Sequence, residues 1–429
     1  MQENKNNWVN TFLKSYVMNK STEWKIKKIE DNNVVNQKVI EISSMSLTDL
    51  IGLNESFNYI LLSGMNKMIR NNYICNCAAK EYNKGNPVII LHKGNINLKS
   101  KLVSLFKNNL YFTNIDLQNP IYDPVINLSA QEVAELFAYV QNKNISHFSF
   151  VQFLIGVYKY IETKNVKPCL DLFFDCPFSN LNNLLDDKYQ KNMISFDDYN
   201  MIQKCFMNGY TEVKNIEDYF AKIKIGMSKI VNSYSSAVGG TSIKQCVDEN
   251  RVLLFDISNI DENQFFDLLL SEISLSVFNK KVSLFLDNIF IPKDSNFENF
   301  ILTNPSDFKI SLSYDDIFNA LSDEKKVVRL YQNVDLLFLF SQNSKISCNN
   351  WSQLLGQFEK TEYSKSYGNN NKFGDMINYL TGLSDSLSLS TNYRNEQRVR
   401  SERIQQLKKD EVIISKNGDE NIYIANLII

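Results

Sequence analysis

The sequence contains only 14 glycines, 7 prolines and 2 histidines, and it has no long apolar run. A helix that spans a membrane needs about 20 apolar residues, whereas the best run here, residues 153–161, is short and carries Lys159. The first residues are polar and lack the charged-then-apolar design of a signal peptide. The 46 Lys and Arg nearly balance the 48 Asp and Glu. This balance excludes a protein defined by a basic surface, so any nucleic-acid contact would be local.

Cysteine usage indicates a reducing compartment. There are seven cysteines, an odd number without regular spacing, which predicts reduced thiols rather than a disulfide framework. Cys75 and Cys77 are close in sequence, but only His92 and His147 could add imidazole ligands to them. We therefore expect thiols that face the core, no metal site and a cytoplasmic protein.

A single glycine lies between an apolar run and a helical pattern early in the chain. Residues 58–62 are mostly apolar, a helical pattern continues to about residue 79, and residues 88–91 form a second apolar run. This is the strand–loop–helix–strand order of a nucleotide-binding α/β core. The phosphate-binding pattern G-x-x-x-x-G-K-[ST] can be overlaid from the glycine onwards. The overlaid residues are Gly64, Met65, Asn66, Lys67, Met68, Ile69, Arg70 and Asn71.

The overlay keeps the frame of such a loop but replaces three of its four working residues. Ile69 stands at the inner glycine and places a Cβ where the backbone should curl around phosphate. Arg70 stands at the lysine and cannot reproduce its compact charge without moving. Asn71 stands at the hydroxyl residue that holds Mg²⁺. Taken alone, the segment also fits an ordinary strand-to-helix turn.

The character of the sequence changes twice along the chain. From about residue 128 it becomes helical, and Ser129 and Glu132 have the spacing of a capping box. Buried-type strands then return, alternating with helices. These strands are residues 252–256, 282–288, 308–313 and 336–340. Continuous apolar strands that alternate with helices predict a mostly parallel sheet covered on both faces.

We therefore predict three parts. Residues 1–127 contain N-terminal strands and the first part of a nucleotide-binding-type α/β domain. Residues 128–235 form an all-α insertion. Residues 236–429 form the second part of the α/β domain together with C-terminal strands.

The order of these segments resembles the coupling-protein ATPases of conjugative transfer and type IV secretion, within the HerA/FtsK group of RecA-like DNA pumps. The resemblance extends from about Leu47 to the C-terminus. Its matching segments are 64–71, 88–94, the helical insertion, 242–258, 284–288, 310–321, 337–343 and 405–418. It implies a RecA-like, mostly parallel sheet with helices on both faces, interrupted by an all-α insertion.

The resemblance also identifies the ATPase residues that this chain lacks. A Walker B strand usually ends in Asp-Glu, where Asp orders Mg²⁺ and Glu activates water; here Asp287 is followed by Asn288, and an amide is no base. The γ-phosphate-sensing Gln of the family falls near Asp316. Residues 341–344, where related pumps often offer an arginine to a neighbouring subunit, contain none. We expect Arg70 to form a salt bridge with Asp287 or Asp316 in place of nucleotide and metal.

The sequence thus favours a catalytically degenerate relative, in which the nucleotide-binding segment and Asp287, Asn288 and Asp316 are vestigial. Such a chain would serve as a scaffold, adaptor or substrate recruiter in conjugative DNA transfer or type IV secretion. It would need no cofactor. The alternative is an active ATP-dependent DNA or protein translocase with an atypical loop, which would use ATP and Mg²⁺.

The expected partners are proteins of a transfer or secretion machine, an active ATPase subunit among them. The family's membrane anchor has no counterpart here, so the inner face of the membrane would be reached only through partners. A nucleic-acid contact would depend on the basic run at residues 394–409. This run fits a solvated helix with ion pairs better than a DNA-facing patch.

Overall fold

The computed structural model describes twelve segments of the chain, and all statements below concern these segments. They are residues 26–28, 39–53, 56–107, 109–116, 118–139, 147–227, 240–258, 263–276, 281–303, 306–321, 323–367 and 387–428. The chain divides into two compact units. Ile51–Asp335 forms the core unit, and Met1–Leu50 together with Leu336–Ile429 forms the terminal unit.

Strands and helices alternate along most of the described chain. The strands are β1 Ile26–Lys28, β2 Val39–Ser46, β3 Tyr59–Ser63, β4 Val88–His92, β5 Phe112–Ile115, β6 Val252–Asp256, β7 Val282–Asp287, β8 Phe308–Tyr314, β9 Leu336–Leu339, β10 Gln357–Tyr367, β11 Leu387–Gln397, β12 Glu411–Lys416 and β13 Ile422–Ile428. The helices are α1 Leu47–Leu53, α2 Lys67–Asn83, α3 Ile96–Phe106, α4 Ala130–Tyr139, α5 His147–Glu162, α6 Leu170–Phe174, α7 Leu181–Gln190, α8 Phe196–Gly209, α9 Val213–Met227, α10 Ile243–Asp248, α11 Asn263–Ser276, α12 Asn296–Thr303, α13 Ile317–Leu321, α14 Glu324–Asn333, α15 Lys345–Leu354 and α16 Ser401–Gln405.

The core unit is built on a parallel sheet. Its strands lie in the order β3-β8-β7-β4-β6-β5, and each neighbouring pair is parallel. Every residue of β3, β4, β7 and β8 is buried. Because successive side chains of a strand point to opposite faces, both faces of the sheet are covered. The prediction of a mostly parallel α/β sheet covered on both faces is confirmed.

The named secondary-structure elements between β5 and β6 are all helices, joined by turns, as the predicted all-α insertion requires. It begins with the predicted capping box: the Ser129 N–H donates to Glu132 Oε2 at 2.8 Å, and the Glu132 N–H donates to Ser129 Oγ at 3.3 Å. Three buried aromatic rings pack near its centre. They are Phe137, Phe173 and Phe220, with centroids 4.8 to 6.0 Å apart.

The two ends of the insertion lie side by side. Tyr122 pairs with Thr241 in a parallel β-bridge, and the Asp123 N–H donates to the Thr241 carbonyl at 2.9 Å. Glu272 of α11 secures this junction. Its carboxylate accepts hydrogen bonds from the Tyr122 hydroxyl and from the backbone N–H of Ile243 at the start of α10.

The terminal unit contains the strand order β1-β2-β13-β12-β9 and a separate hairpin of β10 with β11. The basic run at 394–409 lies mostly outside any helix, which corrects the prediction of a solvated helix. It covers the end of β11, the short α16 and the turn into β12. Ion pairs do occur along it, between Arg400 and Glu396 and between Arg403 and Glu411 at 2.8 Å.

Two predictions from composition can be compared with the structure. All seven cysteines are free and buried, as the prediction of core-facing thiols requires. Among the helices of the described segments, none combines the length and the apolar character that crossing a membrane would need.

Candidate functional site

The turn from β3 into α2 is built around Gly64 and Asn66. Gly64 has a φ of +128°, which residues with a side chain rarely adopt, and its N–H donates to the Tyr314 carbonyl at 3.0 Å. Asn66 caps α2. Its Oδ1 accepts the Ile69 N–H at 3.2 Å, and its carbonyl accepts the Arg70 N–H at 3.1 Å. Amides at a helix N-terminus are the usual donors to phosphate, and these two are already bonded to Asn66.

The predicted loop residues separate into a solvent-facing and an interior group. The exposed residues are Met65, Lys67 and Met68, and the buried residues are Ile69, Arg70 and Asn71. The helix begins at Lys67, three residues before Arg70. The three residues that replace working positions of the overlaid pattern therefore all face the protein interior.

Arg70 is fully buried and bonded on several sides. Its Nη1 donates to Ser313 Oγ at 2.9 Å and lies 3.9 Å from Asp287 Oδ1, while its Nη2 forms an ion pair with Asp315 Oδ1. The Asp287 side chain is 1 % exposed, whereas the Asp315 side chain is 49 % exposed. Burial lowers the pKa of Arg70, and the charges of Asp315 and Asp287 oppose that shift. A guanidinium stays protonated under such conditions, so the site holds a fixed internal cation.

Asp287 is the centre of the surrounding hydrogen-bond network. Its Oδ1 accepts the Ser313 hydroxyl at 2.6 Å, and its Oδ2 accepts Asn95 Nδ2 at 2.6 Å. Asn95 also donates to Asn71 Oδ1 at 2.9 Å and caps α3 by accepting the Leu98 N–H at 3.2 Å. Both oxygens of the carboxylate and the amide of Asn71 are therefore engaged by protein groups.

Asn288 and Asp316 have structural contacts at the ends of β7 and β8. Asn288 has a φ of +49°, and its Oδ1 accepts the Asp315 N–H at 2.9 Å. Asp316 Oδ1 accepts the Phe318 N–H at 3.0 Å at the start of α13. The carboxylate that pairs with Arg70 is thus Asp315 and not Asp316, while the expected pairing with Asp287 is present. Both carboxylates follow the end of β8 at Tyr314, so the turn into α13 decides which of them reaches Arg70.

His92 extends the network along the same edge of the sheet. Its Nδ1 accepts the Asn95 N–H at 3.1 Å and lies 4.0 Å from Asp256 Oδ1. Burial lowers the pKa of His92, and the charges of Asp256 and Asp287 oppose the shift. A neutral ring whose Nδ1 accepts a hydrogen bond carries its proton on Nε2.

Sequence reasoning missed Asn95, Ser313 and Asp315. The signal for Ser313 was present, because polar residues alternate with apolar ones along β8 although the strand is buried. This polar stripe consists of Lys309, Ser311 and Ser313. It lies under α2, whose Arg70 bonds to Ser313 and whose Glu81 bonds to Lys309 at 2.9 Å. Asn95 and Asp315 had no such signal, because their partners are distant in sequence.

The arrangement holds the ends of β3, β7 and β8 together through charge. A metal cation bound to Asp287 would lie close to the Arg70 guanidinium, because Arg70 Nη1 is 3.9 Å from Asp287 Oδ1. Like charges at such separations repel strongly in a buried setting. The chemistry that the geometry provides is thus internal charge neutralisation by Arg70.

Comparison with known proteins gives a likeness in structure only. No protein-family model matches the sequence, and a search of curated proteins gives no significant relative. Among solved structures, the bacterial conjugative coupling protein TrwBdeltaN70 in its unbound monoclinic form matches with a TM-score of 0.55 and 11 % identity, over 96 % of this chain and 97 % of that one. Its trigonal form in complex with sulphate matches with a TM-score of 0.52 and 12 % identity, over 95 % and 96 %.

A third solved structure, the plasmid coupling protein TrwB in complex with ADP and Mg²⁺, matches with a TM-score of 0.51 and 12 % identity, over 96 % of both chains. Each match covers nearly the full length of this chain and of the solved chain, at very low sequence identity. They agree with the resemblance that the order of the motifs indicated. The chain therefore has the RecA-like fold of the conjugative coupling proteins, with its all-α insertion.

Proposed function

We propose that this chain is a catalytically degenerate coupling-protein-like subunit that acts as a scaffold, adaptor or substrate recruiter in conjugative DNA transfer or type IV secretion. The observation that carries the proposal is the contact set of Arg70. A fully buried guanidinium bonds to Ser313 and Asp315 and lies 3.9 Å from Asp287. We infer that the positive charge of Arg70 lies where phosphate and metal would bind in an active relative.

The residues at the site do not fit Mg·ATP. A phosphate-binding loop needs free amides, a mobile lysine and a hydroxyl for the metal. Here the Ile69 amide is bonded to Asn66, Arg70 is held by carboxylates, and the Asn71 side chain is bonded to Asn95. Asn288 offers no base and uses its side-chain oxygen to hold the Asp315 backbone. Hydrolysis depends on positioning and charge neutralisation, so these contacts support a subunit without ATPase activity.

The division of the chain into residues 1–127, 128–235 and 236–429 is part of this proposal. The paired ends of the insertion at Tyr122 and Thr241 support it, because a domain inserted into another usually enters and leaves at adjacent points. An adaptor without a working nucleotide site would make its contacts through such a lobe. We infer that the insertion carries contacts with protein partners of the transfer machine.

The proposed location is the cytoplasm, at the inner face of the membrane when partners bring the chain there. The seven free thiols support a reducing compartment. An active ATPase subunit is the partner that a degenerate subunit would most directly complement. Nucleic acid is a weaker proposal, because the basic run at 394–409 is partly neutralised by ion pairs such as Arg403 with Glu411.

The alternative function is an active ATP-dependent DNA or protein translocase. It is favoured by one comparison: a solved coupling protein of the same fold is in complex with ADP and Mg²⁺. Under this alternative Arg70 would have to leave Asp287 and Asp315 when nucleotide binds. The two functions therefore differ in whether Mg·ATP displaces the internal ion pair.

Calorimetric titration of the full chain with Mg·ATP tests the proposal. We expect no binding heat at nucleotide concentrations up to the millimolar range, and no phosphate release above a buffer blank. The matched control is a chain in which the pattern is restored by Ile69→Gly, Arg70→Lys, Asn71→Thr and Asn288→Glu. Micromolar binding by the unaltered chain, or turnover by it, would establish the translocase instead.

A further inference from the structure

Two lysines of the insertion converge on one tyrosine ring. Lys164, just beyond the end of α5, has its Nζ 5.3 Å from the centroid of the Tyr160 ring. Lys188 of α7 has its Nζ 5.1 Å from the same centroid and donates to Thr163 Oγ1 at 2.7 Å. The ring itself is buried. The ring and the threonine hydroxyl therefore hold two ammonium groups in one region of the surface.

Within the described segments, neither of these two lysines forms an ion pair with a carboxylate. The nearest acidic residues along the two helices have other partners: Glu162 pairs with Lys159 at 2.7 Å, and Asp187 pairs with Lys191 at 2.6 Å. Burial lowers the pKa of Lys188, and the charge of Lys164 lowers it further. The two charges thus act on each other.

Local structure offsets only part of this charge. Lys164 lies next to the C-terminus of α5, where the helix dipole provides about half a negative charge. The Tyr160 ring adds a modest cation–π attraction. Lys167 follows α5 in sequence and is a third positive charge. Its Nζ donates a hydrogen bond to Asn127 Oδ1 at 3.4 Å. Three ammonium groups therefore have only neutral partners at this end of the insertion.

We propose that Lys164 and Lys188, which share the Tyr160 ring, form a docking surface for an acidic protein segment, with Lys167 close to Lys164 in sequence. We call it the lysine surface. An incoming carboxylate would supply the counter-charge that the fold itself does not provide, and complementary charge accelerates and orients association. Val166, which lies between Lys164 and Lys167 in sequence, is 39 % exposed and adds an apolar side chain to this segment.

The size and borders of the lysine surface favour a short acidic peptide over nucleic acid. A nucleic acid needs a track of cations along many phosphates or aromatic rings that stack on bases. Here the aromatic ring is covered, and the lysines around it form a small cluster and not a track. A short segment with a few carboxylates matches a cluster of this size.

The test is fluorescence anisotropy of a fluorescein-labelled oligoglutamate peptide with the full chain at low ionic strength. Removal of two attractive charges by Lys164→Gln with Lys188→Gln should weaken binding about tenfold or more, since single exposed ion pairs contribute up to about 1 kcal/mol. The matched control removes two exposed lysines of the same insertion by Lys204→Gln with Lys222→Gln, which lie on α8 and α9. It should bind within about twofold of the unaltered chain, because it removes the same number of charges but leaves Lys164 and Lys188 in place.

A charge-keeping variant, Lys164→Arg with Lys188→Arg, should retain binding and separates loss of charge from loss of fold. The proposal fails if the peptide does not bind saturably, or if both glutamine variants weaken it equally. It also fails if a labelled oligothymidylate of similar length binds more tightly than the peptide and loses that binding in Lys164→Gln with Lys188→Gln. None of these outcomes involves the nucleotide site, so the proposed function is tested separately.

Discussion

Replacing Arg70 by methionine tests how much the internal ion pair between Arg70 and Asp287 stabilises the folded protein. Methionine keeps most of the side-chain volume and removes the charge, so Asp287 is left buried without its cation. Loss of one partner of a buried pair costs about 3–5 kcal/mol. Asp287 still accepts hydrogen bonds from Ser313 and Asn95, so we expect the lower end of this range, about 3 kcal/mol.

The matched control is Asp315→Asn on the other side of the same guanidinium. The Asp315 side chain is 49 % exposed, so solvent screens part of this pair, and Arg70 keeps Asp287 when it is lost. Its loss should therefore cost less than the loss of Arg70. Urea unfolding should be followed by circular dichroism, because Ile51–Asp335 contains none of the three tryptophans and fluorescence would miss the core unit. Equal effects of Arg70→Met and Asp315→Asn, or an effect of Arg70→Met below about 1 kcal/mol, would refute the argument.

Three further predictions concern single contacts. The pKa of Glu272 is raised from 4.5 to about 7, mainly by burial; its contribution to stability is complete below the unfolded-state value and is lost as pH rises through 7. Glu272→Gln should therefore be nearly neutral at pH 4 and stabilise the fold by up to about 3 kcal/mol at pH 8.5; urea midpoints that shift equally with pH in both proteins would contradict this. Asn66→Ala removes the cap of α2 and should cost about 1 kcal/mol, while Asn66→Ser should cost little; equal midpoints for the two variants would show that the cap is not used. Lys309→Met leaves Glu81 without its buried ammonium partner and should cost about 3 kcal/mol. Lys84, the other ammonium partner of Glu81, has a side chain that is 41 % exposed, so Lys84→Met should cost less than about 1 kcal/mol; the reverse order would refute the assignment.

Much of the fold was predictable because its signals are local. The apolar runs that became β3, β4, β7 and β8 are continuous since both faces of a parallel sheet are buried. The spacing of Ser129 and Glu132 predicted the start of α4 because a capping box involves only neighbouring residues. The basic run at 394–409 was misassigned for the opposite reason. Its pattern of charges suited a helix, but most of it lies in β11 and in turns, and pairing with another strand decides this.

The sequence by itself determined which residues the proposed loss of ATPase chemistry rests on: the Ile, Arg and Asn of 69–71 and the amide of Asn288 are visible without any structure. What occupies the site instead was decided by tertiary structure alone. Asn95 and Ser313 reach Asp287 from other elements of the fold, and the choice of Asp315 as the partner of Arg70 depends on how the turn after β8 orients the two carboxylates. Such contacts form only when the ends of separate strands meet at one edge of a sheet. The local sequence pattern does not show which strands will be neighbours there.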